Sequence, residues 1–93
     1  MKPVVVEEMT MTCRCSPWQW EGRTRDGRFI YVRYRWGHLQ IGLGASLDLA
    51  VDRAMATRGA RLSNDDYEGS LSMDRLIAAT QDRFVWPTTE IPA

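Results

Sequence analysis

The feature that most constrains this chain is a run of three strand-like segments between residues 18 and 44. WQWEGRT (18–24), FIYVRYR (29–35) and HLQIGLG (38–44) follow one another, with Asp26-Gly27 in the first junction and Trp36-Gly37 in the second. Short segments rich in aromatic and β-branched residues, punctuated by Asp-Gly and X-Gly pairs, read as an antiparallel meander. The side-chain period of two then fixes the register. A two-residue loop at Asp26-Gly27 would set Arg23 opposite Ile30, a charge among apolar neighbours. A three-residue loop, Arg25-Asp26-Gly27, sets Thr24 opposite Arg28, Gly22 opposite Ile30, Trp20 opposite Val32 and Trp18 opposite Tyr34. That loop suits a type I turn with Gly27 left-handed. The second hairpin pairs Tyr34 with Leu39, Val32 with Ile41 and Ile30 with Leu43. One face of the sheet is therefore Trp18, Trp20, Ile30, Val32, Tyr34, Leu39, Ile41 and Leu43. The other carries Gln19, Glu21, Arg23, Phe29, Tyr31, Arg33, Arg35, His38 and Gln40.

Two helical patterns follow. In SLDLAVDRAMATRG (46–59), Leu47, Ala50, Val51, Ala54 and Met55 form one stripe, Ser46 is a suitable N-cap, and Gly59 is a suitable stop. In SMDRLIAATQDRF (72–84), Ser72 caps a stripe of Met73, Leu76, Ile77, Thr80 and Phe84, and Pro87 ends it. Each stripe needs burial, and the apolar sheet face is the obvious partner. The expected fold is α+β: a three- or four-stranded antiparallel meander followed by two α-helices packed on one sheet face. Residues 1–93 form one domain, in which 1–16 supply an N-terminal strand or arm and 87–93 a C-terminal tail.

A composition of 44% hydrophobic and 26% charged residues is that of a globular chain, not a disordered one. Formal net charge is zero, which disfavours strong nonspecific attraction to nucleic acid or an anionic membrane. The charge is nevertheless uneven. Residues 1–45 hold seven basic and four acidic residues, and residues 46–93 hold five and eight. No apolar run approaches the roughly 20 residues of a membrane span. The three valines before Glu7-Glu8 are too few for a secretion signal. A cytoplasmic protein with no membrane association is the expectation.

The sharpest candidate site is the outer sheet face: Phe29 and Tyr31 with Arg23, Arg33, Arg35 and His38. Tyr and Arg are among the residues that dominate protein interfaces. Exposed rings with arginines also serve single-stranded nucleic acids, which stack bases and pair phosphates. Phe29-Ile30-Tyr31-Val32-Arg33-Tyr34 resembles part of the RNP1 motif of RNA-recognition domains, matching at Phe29, Tyr31, Val32 and Tyr34. Gly27, Arg28 and Ile30 depart from that motif. That fold also places a helix between its first two strands, so the likeness is read as convergent.

Asn64-Asp65-Asp66-Tyr67-Glu68-Gly69 resembles the start of an EF-hand loop, but Arg75 stands where the bidentate Glu belongs. Asp65, Asp66 and Glu68 are instead a secondary acidic patch, suited to a basic partner surface. Cys13 and Cys15 with His38 fall short of the four ligands of a structural zinc site. Gly42-Leu43-Gly44 lacks the third Gly and the Lys of a phosphate loop, and no nucleophile elbow is present. Neither metal nor cofactor is expected. The reading is a small non-enzymatic protein-binding module of inhibitor, immunity or accessory type, such as phages and mobile elements encode. Its partner is another protein or a second copy in a homodimer. Single-stranded nucleic acid binding through the same face is the alternative.

Overall fold

The structure is a computed structural model; it describes residues 3–14, 18–35, 37–62 and 73–87. Strands β1 (Val4–Arg14), β2 (Trp18–Thr24), β3 (Phe29–Arg35) and β4 (His38–Gly44) lead into helix α1 (Leu47–Ala56). Strand β5 (Ala60–Arg61), helix α2 (Met73–Thr80) and strand β6 (Phe84–Val85) follow. Together they make a small α+β domain around a six-stranded mixed sheet in the order β5-β4-β3-β2-β1-β6. Every pairing is antiparallel except that of β6 with β1, where Val4 lies opposite Phe84 and Val5 opposite Val85. The sheet is thus wider than the three or four strands the sequence pattern suggests.

The central hairpins have the register that keeps apolar residues together. Trp18 stands opposite Tyr34, Trp20 opposite Val32 and Gly22 opposite Ile30, while Ile30, Val32 and Tyr34 stand opposite Leu43, Ile41 and Leu39. The first turn closes with Thr24 N donating to the Arg28 carbonyl at 2.9 Å, and Gly27 takes φ of 86°. Inside that turn the Asp26 carboxylate accepts from the Arg28 guanidinium, 2.8 Å away, and from the Thr24 hydroxyl. These two donors, Arg28 first, hold the Asp26 pKa at about 2, below its ordinary 3.8.

Strand β1 is bulged twice against β2, between Val6 and Glu8 and between Met11 and Cys13. A bulge lets the strand change which side chains meet the core. Val6 and Met9 are buried, Met11 packs against the core, and Glu8, Thr10 and Thr12 go to the other face.

The helices do not share a face, contrary to the sequence expectation. Leu76 of α2, with Phe84 and Trp86, closes over Trp20, Ile30, Val32, Tyr34 and Leu39. Helix α1 lies on the opposite side, where Ala50 and Ala54 bury Tyr31, with Phe29 and Val51 packed beside them. The cause is in β4. Gly42 stands opposite Tyr31 and Gly44 opposite Phe29, so the outer face has a trough with no side chains. Helix α1 fills it so closely that a Cβ on Gly44 would sit 2.7 Å from Leu49 Cβ and 2.8 Å from Ala50 N. Small residues on both sides permit that approach, and Met55, placed in the apolar stripe by its spacing, is left 50% exposed.

Both helices are shorter than their patterns. Ser46 does cap α1, accepting from Leu49 N, but the helix ends at Ala56 with Thr57 extended. Gly59 serves the next bend instead: its φ is 66°, and a Cβ there would run into the Leu39 carbonyl. Helix α2 ends at Thr80, whose side chain is bonded on two sides. Thr80 Oγ1 donates to the Leu76 carbonyl at 2.7 Å and accepts from Trp86 Nε1 at 2.7 Å. Phe84, which continues the helical spacing, turns into the parallel pair with Val4.

Candidate functional site

Helix α1 covers the β3–β4 half of the outer face and so divides the candidate residues. Tyr31 is 5% exposed beneath Ala50 and Ala54. Arg33 is half-buried, its Nη1 lying 3.5 Å from Gln40 Oε1 and 3.3 Å from Met55 Sδ. Arg35 is half-buried at the end of β3. The His38 ring is hydrogen-bonded through Nε2 to the Arg58 carbonyl, which ties β4 to the chain leaving α1. These four residues share a face, as the alternation requires, but that face is largely internal. Arg23 is exposed and Phe29 half-buried, and they meet: the guanidinium carbon lies 4.6 Å from the ring centroid.

The β1–β2 half of the same face stays open. Glu8, Thr10 and Thr12 from β1, Glu21 and Arg23 from β2, and Phe29 from β3 line a groove of about 290 Å³. Leu47, at the start of α1, lines it too. Register explains the grouping, since Glu8 pairs with Arg23 and Thr10 with Glu21 on adjacent strands. The bulge at Met11/Cys13 brings Thr12 to the same side. The result is a bed of hydroxyls flanked by two carboxylates, a guanidinium and part of an aromatic ring. Such a surface offers both donors and acceptors and carries little net charge. Leu49, two residues further along α1, is 43% exposed.

Glu8, Thr10 and Thr12 are the residues that sequence reasoning missed. Their signal was the Thr alternation in β1, but the two bulges break its period, so the face they reach could not be read. The Gly42-x-Gly44 trough was the readable clue to where α1 lies.

The proposed acidic patch, Asp65, Asp66 and Glu68, lies outside the described residues, as does Cys15. Among the described residues, no three His, Cys, Asp or Glu side chains gather as metal ligands would, and no helix is long and apolar enough to cross a membrane. Compared with protein-family models, with curated proteins and with solved structures, this chain matches none.

Proposed function

We propose that this protein is a non-enzymatic protein-binding module whose contact surface is the open β1–β2 half of the outer face. The observation that carries the reading is the groove of Glu8, Thr10, Thr12, Glu21 and Arg23 running to Phe29 and Leu47. It joins an aromatic and an aliphatic side chain to a rim of both charge signs, the makeup of a polar-rimmed protein interface. Single-stranded nucleic acid is served less well. A stacking platform needs free ring faces and a cationic track. Tyr31 is under α1, Phe29 is stacked by Arg23, and Glu8 and Glu21 would face the phosphates. In this role the protein acts as an inhibitor, immunity or accessory subunit, its activity residing in what it blocks or recruits.

The test is binding to a partner isolated from the native cell. Thr10→Arg/Thr12→Arg alters two groove residues without touching the core. It is expected to keep the wild-type unfolding midpoint and to lose at least about tenfold in affinity, roughly 1.4 kcal/mol. Unchanged affinity would remove the groove from the interface. Binding abolished by nuclease, with a steep salt dependence, would reassign the protein to nucleic acid.

A further inference from the structure

Helix α1 carries its apolar stripe past the glycine trough that seats it. Ala50 and Ala54 are buried with Tyr31, but Met55, at the end of the stripe, is 50% exposed and meets a polar neighbour. Arg33 Nη1 lies 3.3 Å from its sulfur. We propose that Met55 is a site of reversible oxidation by hydroperoxides, and that Arg33 receives the oxygen of the sulfoxide formed there.

Two observations carry this. The first is access. Among the described methionine side chains, Met9 is fully buried and Met11 packs against the core, while Met55 is half exposed. A thioether is oxidised where the oxidant can reach it, so Met55 stands ahead of both.

The second is the donor at the sulfur. Arg33 and Gln40 stand opposite each other on β3 and β4, and Arg33 Nη1 lies 3.5 Å from Gln40 Oε1. Gln40 Nε2 in turn donates to the Thr57 carbonyl at 3.1 Å, so the guanidinium is steered to the corner where the chain leaves α1. A guanidinium has five donors and no acceptor, and a thioether is only a weak acceptor for it. A sulfoxide oxygen is a much stronger one. The unbranched methionine side chain, with three rotatable bonds, can turn that oxygen toward Nη1. In an apolar core the polar product disrupts packing. Here it replaces a weak contact between β3 and α1 by a charge-assisted hydrogen bond.

In the reaction Sδ gives up two electrons as the O–O bond of the hydroperoxide breaks. One oxygen joins the sulfur. The other takes the proton of the transferred hydroxyl and leaves as water, or as an alcohol from an alkyl hydroperoxide. Methionine sulfoxide reductase chemistry returns the thioether. The site is separate from the β1–β2 groove: Leu47, which lines the groove, stands eight residues earlier, about 12 Å away along the helix.

The experiment exposes ¹⁵N-labelled protein to limiting hydrogen peroxide and follows methionine oxidation by peptide mass mapping. Met55 is expected to gain oxygen before Met9 and Met11. The Arg33 side-chain N–H resonances should move as it does, return on treatment with methionine sulfoxide reductase, and stay in place in Met55→Leu treated alike. The unfolding midpoint is then measured before and after oxidation in the wild type and in Arg33→Gln. Oxidation is expected to shift the wild-type midpoint upward, relative to its shift in the variant, by about 4 °C, the size of one hydrogen bond in a domain this small. Met9 or Met11 oxidised as readily as Met55, Arg33 resonances that do not move or do not return, or equal midpoint shifts in the two proteins would overturn the proposal. Should Arg33→Gln fail to fold, the Arg33 resonances of the wild type decide alone.

Discussion

Replacing Gly42 with alanine adds one methyl group to the outer face of β4, and its effect follows from where α1 lies. The new Cβ would stand 3.0 Å from Ala54 Cα and closer still to the Ala50 carbonyl and Ala54 amide. These are backbone atoms and cannot rotate away. Carbon atoms rest about 3.5–4.0 Å apart, so the helix must retreat by on the order of 1 Å. Overpacking of this kind costs about 1–3 kcal/mol, and a rigid helix backbone puts Gly42→Ala near the upper end. Against it stands about 0.4–1 kcal/mol gained by restricting the unfolded chain. The net is a loss of about 2 kcal/mol, or about 8–16 °C in the unfolding midpoint of a domain this size. Urea and thermal unfolding followed by tryptophan fluorescence would measure it. Were both helices on the Ile30/Val32 face, position 42 would face solvent, and the same change would raise stability by the small unfolded-state term. The sign therefore decides between the two arrangements, and a stabilised Gly42→Ala would refute the placement of α1. Gly27→Ala is the companion variant: no atom lies within 4 Å of its Cβ, but its φ of 86° is unfavourable to a side chain. It should cost about 1 kcal/mol or less after the same compensation.

Thr80→Val keeps the shape of a fully buried side chain but leaves Trp86 Nε1 without its acceptor. A loss of about 1–3 kcal/mol in urea unfolding is expected, and combining it with Trp86→Phe should cost less than the two singles together. Asp26 makes the protein sensitive to acid. Its folded pKa of about 2 is below the unfolded 3.8, so its contribution is complete above the unfolded value and is lost as pH falls toward about 2. Asp26→Asn should be less stable than the wild type near neutral pH and converge with it near pH 2, whereas curves that stay parallel would show that the turn does not use the charge.

The hairpin register was legible because it follows from local rules: a left-handed Gly27, and a period of two that places Trp20, Val32 and Ile41 on one face. The same period assigned Phe29, Tyr31, Arg33, Arg35 and His38 to the other. What it could not say was what covers them. Two amphipathic helices and one apolar face look like a complete match, and the sign that α1 goes elsewhere was two glycines opposite two aromatics. Strand β6 was not legible, since two residues have no period and Phe84 also fits a helix after Thr80. Of the candidate site, Arg23 and Phe29 remain at an open groove. Tyr31 belongs to a core that tertiary packing creates.

The parallel pair of β6 with β1 has a consequence for synthesis. Val4 and Val5 are made early and Phe84 and Val85 late, with every other described strand and helix between them. A chain elongating at about 5–20 residues per second can form its central hairpins well before its last strand exists. Until then Trp20, Tyr34 and Leu39 lack Phe84 and Trp86, and the lid formed by α2 lacks the indole that holds Thr80. The β1–β6 pairing therefore needs both ends of the described chain to be present together. A nascent protein stalled before residue 84 presents a half-covered apolar sheet to whatever receives it.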